Sequence, residues 1–207
     1  MPTITLYAYN FISRAERVLW ALNELEIEHN IIRLDPFAGE TMTDTFGDLN
    51  PQRKIPVLTH GDKVLTDSLA IMEYLCSLKP EKKLIPTDAD KLYQFREIIY
   101  FTLTEVESYL WIADQATRLS FLYNWPEGTE KEAINRVENA LLHINETLAD
   151  KPFILGDEFS LADIYIGHIL LWIKRTGLDL SPKTFAYMKK LSQRSAFPDI
   201  INQQAQQ

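Results

Sequence analysis

A proline set inside the short apolar run Ile55-Pro56-Val57-Leu58, followed shortly by Thr66-Asp67-Ser68, constrains this chain more than any other feature. Proline has no N–H to give to a sheet ladder, so Pro56 belongs at the start or edge of a strand, where neighbouring backbone groups stay free. Thr66-Asp67-Ser68 opens a helix, where short oxygen-bearing side chains and unpaired N–H groups gather at the positive end of the dipole. An extended backbone edge beside a helix start can hold a small peptide, and a carboxylate is welcome there.

The surrounding periodicity places this pair in a mixed unit. Thr3 to Tyr7 alternates polar and apolar residues and reads as a strand. Val18, Leu19, Leu22 and Leu25 then recur at helical spacing, predicting a helix over Ser13 to Leu25 with Ser13 as its cap. Asn30 to Leu34 is a second strand, and a strand, helix, strand order of this length implies a parallel pair joined by a right-handed crossover. After a weak helix near Thr41 to Leu49, the strands Val57-Leu58-Thr59 and Lys63-Val64-Leu65 flank His60-Gly61-Asp62 as a hairpin. A helix over Asp67 to Leu78 closes an α/β unit spanning residues 1–78.

Lys79-Pro80-Glu81-Lys82-Lys83 and Pro86 break the pattern as a linker does. Beyond Asp88 only helices are predicted, so residues 88–207 form an all-α unit. Leu92, Phe95, Ile99, Leu103 and Val106 fall at steps of three and four toward Trp111, implying one long helix. Further helices follow over Glu130 to Leu148, Ser160 to Thr176 and Thr184 to Arg194.

Charge and cysteine usage exclude several classes. A formal net charge of -8 repels phosphate backbones, and no basic stripe interleaved with aromatics offsets it, which argues against a nucleic-acid partner. No apolar run is long enough to cross a bilayer and Met1 to Tyr9 lacks a leader's basic and apolar regions, so neither a membrane nor export is expected, and the location is cytoplasmic. Cys76 is the single cysteine, in a setting that reads as a buried structural thiol. His29, His60, His143 and His168 are too scattered for a metal motif.

Four segments in order, Ser13 to Trp20, Asn50 to Leu58, Asp67 to Ile71 and Phe159 to Asp163, make the whole chain resemble the cytosolic glutathione transferases, of the serine-using, bacterial-like type. The resemblance implies a thioredoxin-like N-terminal domain followed by a helical C-terminal domain. It implies transfer of the glutathione thiol to a small hydrophobic electrophile, by a homodimer, with glutathione as co-substrate and no other cofactor. A non-catalytic binding or regulatory protein of the same fold, and a glutathione-dependent isomerase or peroxidase, are the alternative readings.

On that likeness Pro56 is cis and Ile55 meets the cysteinyl part of glutathione through its backbone. Asp67 and Ser68 match the acidic-Ser pair that takes the γ-glutamyl end. The physics is coherent, because helix N–H groups and a hydroxyl suit the carboxylate while Asp67 suits the ammonium. Lys54 is placed to meet the glycyl carboxylate as a point charge, with Arg53 a weaker candidate where many relatives carry glycine. Ser13 is the candidate catalytic residue, donating to the sulfur so that the nucleophilic thiolate is favoured. Tyr9 is its rival at the end of the first strand, while Tyr7 reads as structural. Asn10 and Phe11 stand where cysteine-using classes carry their nucleophile, which argues against thiol-reductase chemistry. Phe11, Tyr109 and Trp111 are candidates for the second-substrate pocket. Ser160 and Asp163 have the layout of a capping box and carry no catalytic role.

Overall fold

The computed structural model describes residues 2–9 and 13–198. The described residues divide into two compact units, one formed by those up to 84 together with 192–198, the other by 85–191. The first unit is built on four strands, β1 (Ile4–Tyr9), β2 (Asn30–Leu34), β3 (Val57–His60) and β4 (Lys63–Thr66), in the order β2-β1-β3-β4. β1 and β2 are parallel, as a crossover through α1 (Ala15–Glu24) requires, and the other two pairings are antiparallel. Gly61, at φ 59, takes the first place of the two-residue β3–β4 turn, where a left-handed backbone is demanded.

Alternation along β1 decides which side of the sheet is core. Ile4, Leu6 and Ala8 are buried, while Tyr7 and Tyr9 point to the other face. There Tyr7 meets Phe46 of α2 (Asp44–Leu49) edge-on at 6.0 Å, the structural role read from its strand position. α1 is buried continuously from Ala15 to Leu22 and packs with α3 (Ser68–Leu78). A helix buried on every side must be apolar around most of its circumference, so the two charged residues of its buried run, Glu16 and Arg17, need partners inside the fold. Cys76 on α3 is 6% exposed, and burial, aided by Glu73, pushes its thiol up to about 12. It is the inert structural thiol that its setting suggested.

The end of the described chain packs on this unit. Arg194 grips Glu24 with Nε at 2.5 Å and Nη2 at 2.7 Å, Trp20 Nε1 donates to the same carboxylate, Asn23 donates to the Ala196 carbonyl, and Phe197 stacks edge-on to Trp20.

The second unit is helical throughout: α4 (Ala89–Phe101), α5 (Ser108–Ala116), α6 (Thr129–Leu148), α7 (Leu161–Arg175) and α8 (Pro182–Ser192). The long helix expected toward Trp111 is present but contains a wider π turn over Thr102–Glu107 between α4 and α5. α7 is the central member, buried from Leu161 to Leu170. Its start is the predicted capping box. Asp163 accepts from the Ser160 N–H and hydroxyl, both at 2.8 Å, and also from the Ile154 N–H and the Tyr187 hydroxyl. Among the described residues, no helix is long and apolar enough to cross a membrane.

Candidate functional site

The sheet register gathers the candidate residues at one end of the first unit. Tyr7 pairs with Val57, and Val57 pairs with Thr66, so these three residues form a row across β1, β3 and β4. The end of β1, the chain entering β3 through Ile55-Pro56, and the chain leaving β4 through Asp67-Ser68 therefore share that end. Pro56 sits immediately before β3, where its missing N–H costs the ladder nothing, and the Ile55–Pro56 bond is cis.

The approach to Pro56 is shaped by a residue to which the sequence assigns no role. Asn50, buried, donates to the Lys54 carbonyl at 2.7 Å and accepts from the Gln52 N–H at 3.0 Å, folding the turn back on itself. Lys54 is exposed, and its ammonium makes no ion pair among the described residues. Arg53 is held otherwise: at φ 57 it occupies a left-handed conformation that suits glycine, and its guanidinium turns to the Thr43 carbonyl and, at 3.9 Å, to Asp44. Its guanidinium therefore faces the start of α2.

Asp67 does not cap α3 with its side chain. It is exposed, has φ 63 and ψ 115, and makes no side-chain hydrogen bond to the helix it precedes. Non-glycine residues held in such sparsely populated conformations carry roughly 1–3 kcal/mol of strain and cluster at ligand-binding positions. The first N–H groups of α3 are thus left without an internal cap at the helix's positive end. Ser68, by contrast, is buried, and its Oγ accepts from Arg17 Nε at 2.9 Å and Nη2 at 2.6 Å. Arg17 is the site residue that sequence reasoning missed. Its only local signal was a charge beside Glu16 in a mainly apolar helix, and its partner lies 51 residues away.

Ser13 precedes α1 by two residues, so the helix starts later than the predicted boundary. The Ser13 Oγ accepts from the Ala15 N–H at 3.2 Å and its carbonyl from the Glu16 N–H at 3.1 Å, so it does serve the helix start. Tyr9 packs edge-on against Phe37 at 5.8 Å, and its carbonyl accepts from Arg33 Nη1, which also donates to buried Glu16 at 2.7 Å. That bridge ties the end of β1 to the first turn of α1. Burial raises the Glu16 carboxyl pKa despite Arg33, and its Oε2 has no partner among the described residues.

Two of the three aromatic candidates, Tyr109 and Trp111, lie within the described residues. Phe11 and its neighbour Asn10 lie outside the described residues. Tyr109 and Trp111 are two positions apart on α5, which sends them to different sides of the helix. The Tyr109 ring lies 6.0 Å from the Arg136 guanidinium of α6, and Trp111 meets Tyr123 edge-on at 6.3 Å. A cavity of about 550 Å³ on the second unit is lined by Phe101, Glu105, Glu132, Arg136, Asn139 and His143 among others, a polar lining unlike that of an apolar acceptor pocket. Among the described residues, no group of three or more His, Cys, Asp or Glu side chains is placed to hold a metal.

A four-stranded mixed sheet with a cis-proline entering its antiparallel strand, followed by a helical unit, is the architecture of a thioredoxin-like domain joined to an all-α domain. Residues 13–78 match the family description Glutathione S-transferase, N-terminal domain, and residues 108–195 match Glutathione S-transferase, C-terminal domain. Glutathione S-transferase 1 of Dianthus caryophyllus is 31% identical over 193 residues, covering 90% of this chain and 84% of its own. The maleylacetoacetate isomerase of Mus musculus is 29% identical, covering 91% and 86%. A glutathione transferase homologue from Sulfitobacter, solved with bound glutathione, superposes with a TM-score of 0.83 over 98% of this chain and 99% of that one, at 22% identity, a likeness of fold. The chain belongs to the glutathione S-transferase family.

Proposed function

We propose that this chain is a glutathione transferase that binds glutathione at the end of its sheet and promotes attack by the sulfur on a small hydrophobic electrophile. The observation that carries this reading is the sheet row Tyr7-Val57-Thr66, which sets the cis Ile55–Pro56 entry to β3 beside the start of α3, where no side chain caps the helix and Ser68 is held by Arg17. In this reading Ile55 offers backbone groups to the cysteinyl unit, Asp67 takes the γ-glutamyl ammonium, Ser68 and the α3 N–H groups take its carboxylate, and Lys54 attracts the glycyl carboxylate. Ser13 donates to the sulfur, and the α1 dipole supports the thiolate. The rate gain comes from a lowered thiol pKa and from holding two reactants together. A cytoplasmic homodimer that conjugates electrophiles for detoxification completes the proposal.

Similarity to an isomerase along nine-tenths of the chain favours glutathione-dependent isomerisation as the second reading, with glutathione regenerated rather than consumed. Steady-state assays separate the two. An electrophilic aryl halide tests conjugation by loss of free thiol, and a cis-configured conjugated dicarboxylic acid tests isomerisation at constant thiol. Saturable glutathione binding with neither activity would leave a binding protein and refute both enzymatic readings.

A further inference from the structure

Arg17 is 2% exposed and Ser68 is 4% exposed, so their contact is inside the fold. A serine hydroxyl has one proton to donate and two lone pairs that accept. The guanidinium fork of Arg17 occupies the accepting side with two donors, Nε at 2.9 Å and Nη2 at 2.6 Å. The Ser68 O–H is left with one function, donation, and among the described residues it has no acceptor. One position earlier, exposed Asp67 presents a carboxylate that makes no hydrogen bond of its own there. A donor-only group and an acceptor-only group thus stand side by side at the start of α3.

We propose that Arg17 is a specificity-determining positioning residue, which fixes Ser68 as a pure donor and so makes the site demand a carboxylate at that point. This inference rests on the glutathione reading and deepens it. The γ-glutamyl end is a zwitterion whose two charged groups share one carbon, and a serine able to accept as well as donate could receive either. With its lone pairs taken by Arg17, Ser68 repels an ammonium, so the carboxylate goes to Ser68 and the ammonium to Asp67. The buried guanidinium adds its own positive charge behind the hydroxyl, which strengthens the same preference.

The test compares binding of glutathione with that of 4-aminobutyryl-cysteinyl-glycine, which lacks only the α-carboxylate, by calorimetry on wild type, Arg17→Met, Ser68→Ala and the double variant, with an unfolding midpoint for each. Wild type should prefer glutathione by about tenfold or more, the scale of a hydrogen bond to a charged group. Arg17→Met should lose most of that preference, and in the Ser68→Ala background the same substitution should change it little, because the two residues act as one. Arg17→Lys keeps the charge but supplies a point donor in place of the fork, and should retain part of the preference. It also serves if Arg17→Met does not fold. A variant of Arg17 that binds both ligands more weakly by the same factor would show a merely structural role and overturn the proposal. Preferences lost independently in the two single variants would do the same. Wild type that binds glutathione without preferring the carboxylate overturns this proposal alone, whereas wild type that binds neither ligand overturns the glutathione reading with it.

Discussion

Replacing Asp67 by alanine separates a ligand-binding residue from a helix cap. An Asp that caps a helix contributes about 0.5–2 kcal/mol to folding through a side-chain bond to the first N–H groups. Asp67 makes no such bond, and it is exposed. Alanine keeps a Cβ at φ 63, so the variant retains the backbone strain and adds only the small difference between Asp and Ala in tolerating a positive φ. What remains for folding is the interaction of one exposed carboxylate with the α3 dipole, about 0.3–1 kcal/mol at low salt. Binding should respond more strongly, because the variant removes the only acidic partner proposed for the γ-glutamyl ammonium. A hydrogen bond to a charged group is worth about 1.5–3 kcal/mol, or roughly a 10- to 150-fold rise in Kd. Calorimetric titration with glutathione and urea unfolding of the same preparation read the two effects side by side. A variant that binds glutathione normally, or that loses more stability than affinity, would refute the assignment.

Three further outcomes follow from buried groups. Cys76, 6% exposed with its thiol pushed up to about 12, should be inert to an aromatic disulfide reagent in the native protein and react fully once the chain is unfolded. Rapid native labelling would contradict its placement. Glu16, whose carboxyl burial holds above its ordinary value near 4.5, binds its proton more tightly folded than unfolded, so its contribution to stability is greatest at low pH and declines as pH rises through 4.5 toward the folded value. Stability measured against pH should therefore fall in wild type relative to Glu16→Gln over that range, and parallel curves would remove the effect. Asp163→Ala strips the acceptor from four donors in a fully buried position and should cost more than about 3 kcal/mol of stability, read by denaturant unfolding, without touching the ligand site. A loss below about 1 kcal/mol would mean that the capping box is dispensable.

Local signals in the chain were enough for the strands, the hairpin turn at Gly61-Asp62, the capping box at Ser160 and Asp163, and Pro56 at a strand entrance, because each depends on a few neighbouring residues. Features that depend on distant contacts were hidden. Arg17 and Ser68 are 51 positions apart, and nothing near either names the other. The return of the chain to the first unit rests on Arg194 reaching Glu24 across 170 positions. The π turn over Thr102–Glu107 escaped because the apolar steps through Val106 and Leu110 continue across it, so the pattern is preserved while the winding changes. Arg53 illustrates a contact hidden from local signals: its left-handed backbone at φ 57 accompanies a guanidinium turned toward the Thr43 carbonyl at the start of α2.

The account stands most directly on the state of the glutathione sulfur. Ultraviolet titration of the thiolate, with glutathione saturating the protein, should give a midpoint below the value of about 8.5 typical of a free cysteine thiol. Ser13→Ala should raise that midpoint while leaving affinity for the protonated tripeptide nearly unchanged, and a rise of one pH unit corresponds to about 1.4 kcal/mol of lost thiolate stabilisation. A raised midpoint in Tyr9→Phe with none in Ser13→Ala would move the role to Tyr9. A bound thiol that titrates as it does in free solution would contradict the proposal that this site activates glutathione.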